Sequence, residues 1–485
     1  MHTRIILATA VIWILVSIPV LAIDWPTEPQ DSAQPLGNSW GEYQYYGGSA
    51  YLHPGIDIMT EPLAPVYAVT SGWVKAVLTT YAEYHWRVAI GASSGASDTT
   101  GWLYAHLEEH SIMVDVGDFV TEGELLGYIV TWPVADFHHL HFAKIRHSGT
   151  VWNYLWDFAE NPLNELSNID DFDPPVFSTL PSPFDEDKFA FISNDGSEFF
   201  FDTDSLSGDV DIIAKVYDLI GHDDWRLTPY KLEYLIRSCR YVADTVLSFV
   251  FAGELFWEDN VDVIYENTYP LETRGDYNYR DFYFIITNSD GDSVIESSDA
   301  DECWHTADLP NETYWIVVKA SDAYGNETYD SMKVNTVNYV PFEGTVGTSD
   351  GDPDSSRAVV SIPLYDFADT TDTHGIFQFA EVLAGSLVVL IEKPGYIPCD
   401  TLVPVYAKDP LNITLDPASF IPGDADLSGF VDIDDIVYLI AYVFTGGPSP
   451  APYLSGEVDG SGNIDIDDIV YLIQYIFNSG PPPVE

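Results

Sequence analysis

Eight of the twelve histidines in this 485-residue chain fall between residues 53 and 147, gathered around three short pieces. These are His53-Pro54-Gly55-Ile56-Asp57, Tyr104-Ala105-His106-Leu107 and His139-Leu140-His141-Phe142. Trp132 to Phe142 alternates like a strand, so a period of two sends His139 and His141 to one face and His138 to the other. Two adjacent imidazoles, with a histidine and a carboxylate four positions apart in His53 and Asp57, supply a mixed nitrogen and oxygen ligand set for a borderline-soft dication. Three protein ligands leave a fourth tetrahedral position to water, whose pKa on zinc falls to about 7; a helper base must stand nearby. His85, His110, His138 and His147 are expected at the surface or behind the ligands.

The three pieces resemble the signatures of the LytM or lysostaphin-type zinc endopeptidases, which cut peptide cross-bridges of bacterial cell walls: HxxxD, a strand with aromatic-Ala-His-Leu, and HLHF. The resemblance covers roughly residues 45 to 165. It implies that His53, Asp57 and His141 hold zinc, while His106 and His139 orient the water and stabilise the oxyanion. Tyr104, two residues before His106 on the same strand face, is expected to donate its phenol to that oxyanion. Some relatives of this kind have lost ligands and act without catalysis, so a wall-binding or activator protein on the same fold is the rival reading. A third is a peptidase for a secreted protein with glycine-rich segments. The whole ligand set is present here, which favours the enzyme.

The elements that must position these residues are short and β-rich. Val66 to Val69, Gly72 to Val77, Trp86 to Ile90 and Gly101 to Tyr104 are β-branched or aromatic runs bounded by turn residues, and Val114 to Ile129 continues the pattern. Together they predict an antiparallel sheet with its site on a groove that suits an extended peptide.

Length alone calls for about three to four domains. The net charge of −59 argues against nucleic acid and anionic membrane surfaces as partners. Three cysteines, Cys239, Cys303 and Cys399, are too few for a disulfide framework, although a single Cys239 to Cys303 bridge fits the count. At the N-terminus Arg4 precedes an apolar run from Ile5 to Leu21, and Val20-Leu21-Ala22 has the small-residue pattern of a cleavage site. A secretory signal peptide is expected, with cleavage near Ala22, export or cell-surface display, and no stable membrane insertion.

Beyond the sheet, the acidic, proline-bearing stretch around Asp170 to Pro183 is expected to run as an extended linker. Short strands from Phe189 to Asn338 resemble a bacterial immunoglobulin-like sandwich. Residues 341 to 417 resemble the small β-sandwiches of carboxypeptidase regulatory regions. The last 64 residues contain an internal repeat at an offset of 33, with Asp432 to Ile440 identical to Asp465 to Ile473. Each copy is a twelve-residue acidic loop and then an amphipathic helix. Asp424, Asp426, Ser428, Asp432 and Asp435 occupy positions 1, 3, 5, 9 and 12 of the first loop, with Gly429 at 6. Glu457, Asp459, Ser461, Asp465 and Asp468 occupy those positions in the second. Hard oxygen ligands at alternate positions around a glycine turn suit calcium. The paired loops resemble a dockerin type I domain, which implies a cohesin-like scaffold partner, although Ile433-Asp434 and Ile466-Asp467 stand where cellulosomal members carry a hydroxyl pair.

The chain is therefore expected to be mainly β and multidomain. Its parts are a signal peptide over 1–22, an antiparallel β peptidase domain over 40–166, a linker over 167–190 and an immunoglobulin-like sandwich over 191–340. A carboxypeptidase-regulatory-like β-sandwich over 341–417 and an α-helical calcium-loop, dockerin-like module over 420–485 complete it.

Overall fold

The computed structural model describes residues 22–46, 48–79, 84–152, 158–167, 171–184, 187–220, 225–240, 243–251, 254–255, 260–275, 280–355, 357–407 and 409–484. The expected signal peptide lies outside them except for Ala22. No helix among the described residues is long and apolar enough to cross a membrane.

The sheet that carries the histidines is built from β1 (Leu36–Asn38), β2 (Ile56–Met59), β3 (Gly72–Leu78), β4 (Trp86–Gly91), β5 (Thr99–Leu107), β6 (Phe119–Val120), β7 (His139–His147) and β8 (Phe158–Glu160). Its order is β1-β2-β7-β5-β4-β3-β6, antiparallel throughout, with β8 added along β7. Period-two alternation splits the two central strands cleanly. Ile56, Ile58, Leu140, Phe142 and Tyr104 point into the core and are 0% exposed. Each is worth about 1.5–3 kcal/mol of hydrophobic burial. Asp57, His139 and His141 take the other face.

β7 begins at His139 rather than at Trp132, and it runs on to His147. The residues before it form a loop, closed by the Trp132 main-chain N–H donating to His138 Nδ1 at 3.1 Å. His138 thus belongs to the loop, so the expected alternation with His139 does not apply to it.

Residues 171–338 pack as two antiparallel sheets. One holds Val176–Phe177, Asp209–Tyr217, Phe189–Ser193, Tyr283–Ile285 and Trp304–His305; the other holds Val246–Val250, Lys231–Arg237, Thr313–Ser321 and Glu327–Asn335. The stretch expected as a linker is partly built in, since Val176 and Phe177 pair with Tyr217 and Val216. This unit is not separated from the first sheet by solvent. One hydrophobic core runs from Ile23 to Val334, and Glu254–Leu255 extends the first sheet by pairing with β8.

Residues 339–415 form a smaller pair of sheets over their own core. Two helices, α1 (Ile433–Thr445) and α2 (Ile466–Asn478), end the chain. Asp432 and Asp465 cap them, each in a reciprocal capping box with Asp435 or Asp468. Tyr396 joins the helical pair to the smaller sheets, its hydroxyl accepting from Tyr453 N at 3.3 Å and facing Asp350 and Asp352. All three cysteines are free, so the Cys239 to Cys303 bridge is not formed.

Candidate metal centre

β2 and β7 are neighbours in register, with Asp57 opposite His141. That pairing brings a carboxylate beside an imidazole on the face of the sheet opposite Ile56, Ile58, Leu140 and Phe142, where both are nonetheless buried. His53, in the turn that enters β2, completes a trio. His53 Nε2 lies 3.3 Å from Asp57 Oδ1 and 3.0 Å from His141 Nδ1, and His141 Nδ1 lies 3.0 Å from Asp57 Oδ1. Ligands bound to zinc at about 2.0–2.1 Å and tetrahedral angles stand roughly 3.3 Å apart, so the trio has the spacing that zinc requires.

Hydrogen bonds set the tautomers. His53 Nδ1 donates to the Ser39 carbonyl at 3.0 Å, which leaves the lone pair of Nε2 for the centre. His139 Nδ1 donates to the Phe137 carbonyl at 2.9 Å, and His106 Nδ1 to the Tyr84 carbonyl at 2.7 Å. Both keep a free Nε2 lone pair, and the two rings lie 4.7 Å apart. His139 Nε2 is 3.6 Å from Asp57 Oδ2. Trp132 walls this side of the site, 4.5 Å from the His106 ring and 4.8 Å from that of His139.

Charge and burial poise the groups differently. Burial works against the Asp57 carboxylate, but His53 and His139 outweigh it and hold the acid well below its ordinary pKa. Burial likewise disfavours a charged His53, yet the Asp57 charge prevails and the net shift is upward. His141 is pushed down to about 4, by burial first. Burial and then the neighbouring His139 and His141 carry His106 well below its usual value, and burial lowers His139 too. His106, His139 and His141 are therefore neutral bases at neutral pH.

His106 reaches this face through a local irregularity. Its φ is +67°, and the β4 pairing skips it, with Trp86 opposite Leu107 and Arg87 opposite Ala105. A bulge inserts one residue and turns its side chain relative to a regular strand. Tyr104, before the bulge, pairs with Phe142 and faces the core, and its hydroxyl accepts from Val69 N at 2.9 Å. The expected oxyanion role of Tyr104 is therefore corrected: the alternation that placed it beside His106 is broken between the two.

The structure also recruits residues that sequence reasoning missed. Asn38 Nδ2 donates to Asp57 Oδ2 at 2.5 Å, and Arg280 Nη2 donates to Asn38 Oδ1 at 2.7 Å. Arg280 Nη1 meets Glu42 Oε1 at 3.2 Å, and the other Glu42 oxygen accepts from Ser39 N at 2.9 Å. Burial raises the Glu42 carboxyl, with Arg280 pulling the other way. No local spacing signals a partnership between residues 38 and 280. At Gly55 a side chain would sit 2.7 Å from His141 Cε1 and 2.8 Å from the Phe142 carbonyl.

In each C-terminal loop three of the four expected carboxylates converge, Asp424, Asp426 and Asp435, and Glu457, Asp459 and Asp468, with Ser428 Oγ 3.4 Å from Asp424 Oδ1 and Ser461 Oγ 3.5 Å from Glu457 Oε1. Asp432 and Asp465 instead direct side-chain oxygens at Asp434 N and Asp467 N. Ser428 and Ser461 donate to Phe430 O and Asn463 O.

Residues 51–153 match the model of peptidase family M23. Lysostaphin of Staphylococcus simulans is 30% identical over 123 residues, 24% of this chain and 24% of its own, so the chain spans about a quarter of that relative's length. Among solved structures, the catalytic domain of the antimicrobial peptidase lysostaphin from Staphylococcus simulans is 25% identical, covering 24% of this chain and 82% of that one at a TM-score of 0.20. A zinc containing peptidase from Vibrio cholerae is 22% identical, covering 26% and 37% at a TM-score of 0.21. The histidine-bearing strands of this chain thus lie within the stretch that matches the peptidase family M23 model and is similar to lysostaphin.

Proposed function

We propose that this chain is an exported zinc metalloendopeptidase that hydrolyses peptide bonds in peptidoglycan cross-bridges, with a C-terminal calcium-binding module that tethers it to a scaffold partner. The convergence of His53 Nε2, Asp57 Oδ1 and His141 Nδ1 at zinc-ligand spacing carries the reading. Those three residues hold the metal, which supplies Lewis acidity toward the scissile carbonyl and toward water.

The chain's own groups do the rest. His106 and His139, neutral and presenting Nε2 lone pairs, take the proton from the attacking water and return it to the leaving amine. The ring that carries that proton faces the charge that develops on the carbonyl oxygen. The Tyr84 and Phe137 carbonyls keep both rings oriented through the cycle. Trp132 excludes water from one side of the pair and offers a flat wall to an extended peptide.

The two acidic loops each bring three carboxylates to one point ahead of a capped helix, which suits calcium. The apolar surface left open on α1 and α2 by Val437, Phe444, Val470 and Phe477 suits a cohesin-like partner. Zinc quantification on the purified chain, followed by digestion of wall peptides with and without a chelator, tests the proposal. Stoichiometric zinc with chelator-sensitive cleavage supports it. Wall binding without any bond cleavage would favour the non-catalytic activator reading.

A further inference from the structure

A third acidic cluster is distinct from the histidine trio and from the C-terminal loops. Asp171 comes from the segment after the peptidase sheet, Asp218 from the end of the Asp209–Tyr217 strand, and Asp322 from the hairpin after Thr313–Ser321. One carboxylate oxygen from each lies within 4.8 Å of the others. Asp218 is 1% exposed and Asp322 3%.

The hydrogen bonding there is incomplete in a particular way. Asp322 keeps one free lone pair, on Oδ2: Oδ1 accepts from Tyr324 N at 2.8 Å and Asn326 N at 2.9 Å, and Oδ2 from Asn326 Nδ2 at 2.6 Å. Asp218 Oδ1 accepts from Leu219 N at 3.0 Å, but Asp218 Oδ2 is buried with no hydrogen-bond partner. Asp171 Oδ2 and the Tyr324 hydroxyl are in the same condition. Burial raises the Asp218 carboxyl well above its ordinary value, and the leading charges acting on it, Asp171 and Asp322, raise it further. Asp171 is pushed up to about 6, by burial first. Orphaned buried oxygens destabilise the fold, the more so when charged. Like charges packed together add to that cost.

We propose that Asp171, Asp218 and Asp322 form a calcium site, with the Tyr324 hydroxyl as a further oxygen, which pins the segment leaving the peptidase sheet onto the β unit that follows. The donors are all hard oxygens, which selects against zinc. They come from three separate backbone segments, and such a set suits the adaptable six-to-eight coordination of calcium better than the strict octahedron of magnesium. Asn326 already links two of the three segments, because its Nδ2 also donates to the Asp171 carbonyl at 3.0 Å. The ion would neutralise what this side chain cannot.

The test uses the full chain carrying Asp435→Asn and Asp468→Asn, so that the C-terminal loops are silenced. Equilibrium dialysis against millimolar calcium should leave one bound calcium per chain, and Asp218→Asn should remove it. Calcium should raise the Tm of the parent background, magnesium should raise it less, and Asp218→Asn should erase the calcium increment while raising Tm in chelator. Asp171→Asn, at a half-buried position, gives the same reading if Asp218→Asn fails to fold. The proposal is overturned if the background binds no calcium, or if Asp218→Asn raises Tm equally with and without calcium, since the carboxylates would then share protons rather than an ion.

Discussion

Asn38 holds Asp57 in place: its Nδ2 donates to the Asp57 Oδ2 at 2.5 Å, from the register position directly opposite in the β1–β2 pair. The far end of the same amide accepts from Arg280, which belongs to the second β unit. A proposed zinc ligand is thus oriented by a relay that crosses from one half of the shared core to the other. Partners of this kind typically contribute 10–100-fold to metal affinity. Asn38→Ala should lower zinc affinity by about that factor, read by competition with a chromophoric chelator. Unchanged affinity would show that Asp57 needs no such support.

Arg280 is also the cation facing Glu42, which is 0% exposed. Removing one partner of a buried pair costs about 3–5 kcal/mol, because the other charge stays behind. Arg280→Leu should therefore destabilise the chain by roughly that amount in denaturant unfolding. Glu42→Gln combined with Arg280→Leu should recover a large part of the loss. Equal losses in the single and double variants would mean the ion pair does not couple the two halves.

The two classes of histidine should separate experimentally. His141→Ala should abolish zinc retention, whereas His106→Ala should retain the metal and lose about 10²–10⁴-fold in turnover. Normal cleavage by His106→Ala would refute its role in proton transfer.

Gly55 is the small residue that lets the His141 ring approach β2. Gly55→Ala places a methyl 2.7 Å from His141 Cε1, so the ring must move. Overpacking of this sort costs about 1–3 kcal/mol. Zinc retention should fall more steeply than thermal stability, and a fully zinc-loaded Gly55→Ala chain would count against the proposed ligand role of His141.

Asp211 gives the second β unit a pH dependence. Burial, and then the Glu266 and Asp209 charges, push its carboxyl up to about 6, against hydrogen bonds from Asn194 and Thr287. A raised acid pKa means the folded state binds more protons than the unfolded one between about pH 4 and 6. Its contribution is present below about pH 4 and is lost as pH rises through 6, by up to roughly 3 kcal/mol. Asp211→Asn should flatten that part of the stability profile, as followed by unfolding at pH 4.5 and 7. A profile unchanged by the substitution would assign the slope to other acids.

Some features of this protein are local and could be read directly. HxxxD spans one turn and one strand, HLHF alternates within a strand, and the two acidic loops repeat within a window of 33 residues; composition and short-range periodicity are enough for each. Within the stretch expected to hold short strands from Phe189 to Asn338, Asp209–Tyr217 and Thr313–Ser321 are such strands, because β-branched runs between turns carry their own signal.

Other features depended on contacts between distant parts of the chain. The bulge at His106 separates Tyr104 from the histidine-bearing face, and strand alternation has no term for an inserted residue. The boundary expected near residues 167–190 is crossed by a continuous core, because apolar residues on both sides bury each other rather than closing separately. The Arg280, Asn38 and Asp57 relay, and the convergence of Asp171, Asp218 and Asp322, join residues separated by up to 242 positions. A sequence records which side chains can donate, accept or ligate; which of them share one small volume is decided only when strands from distant parts of the chain pair and the core closes around them.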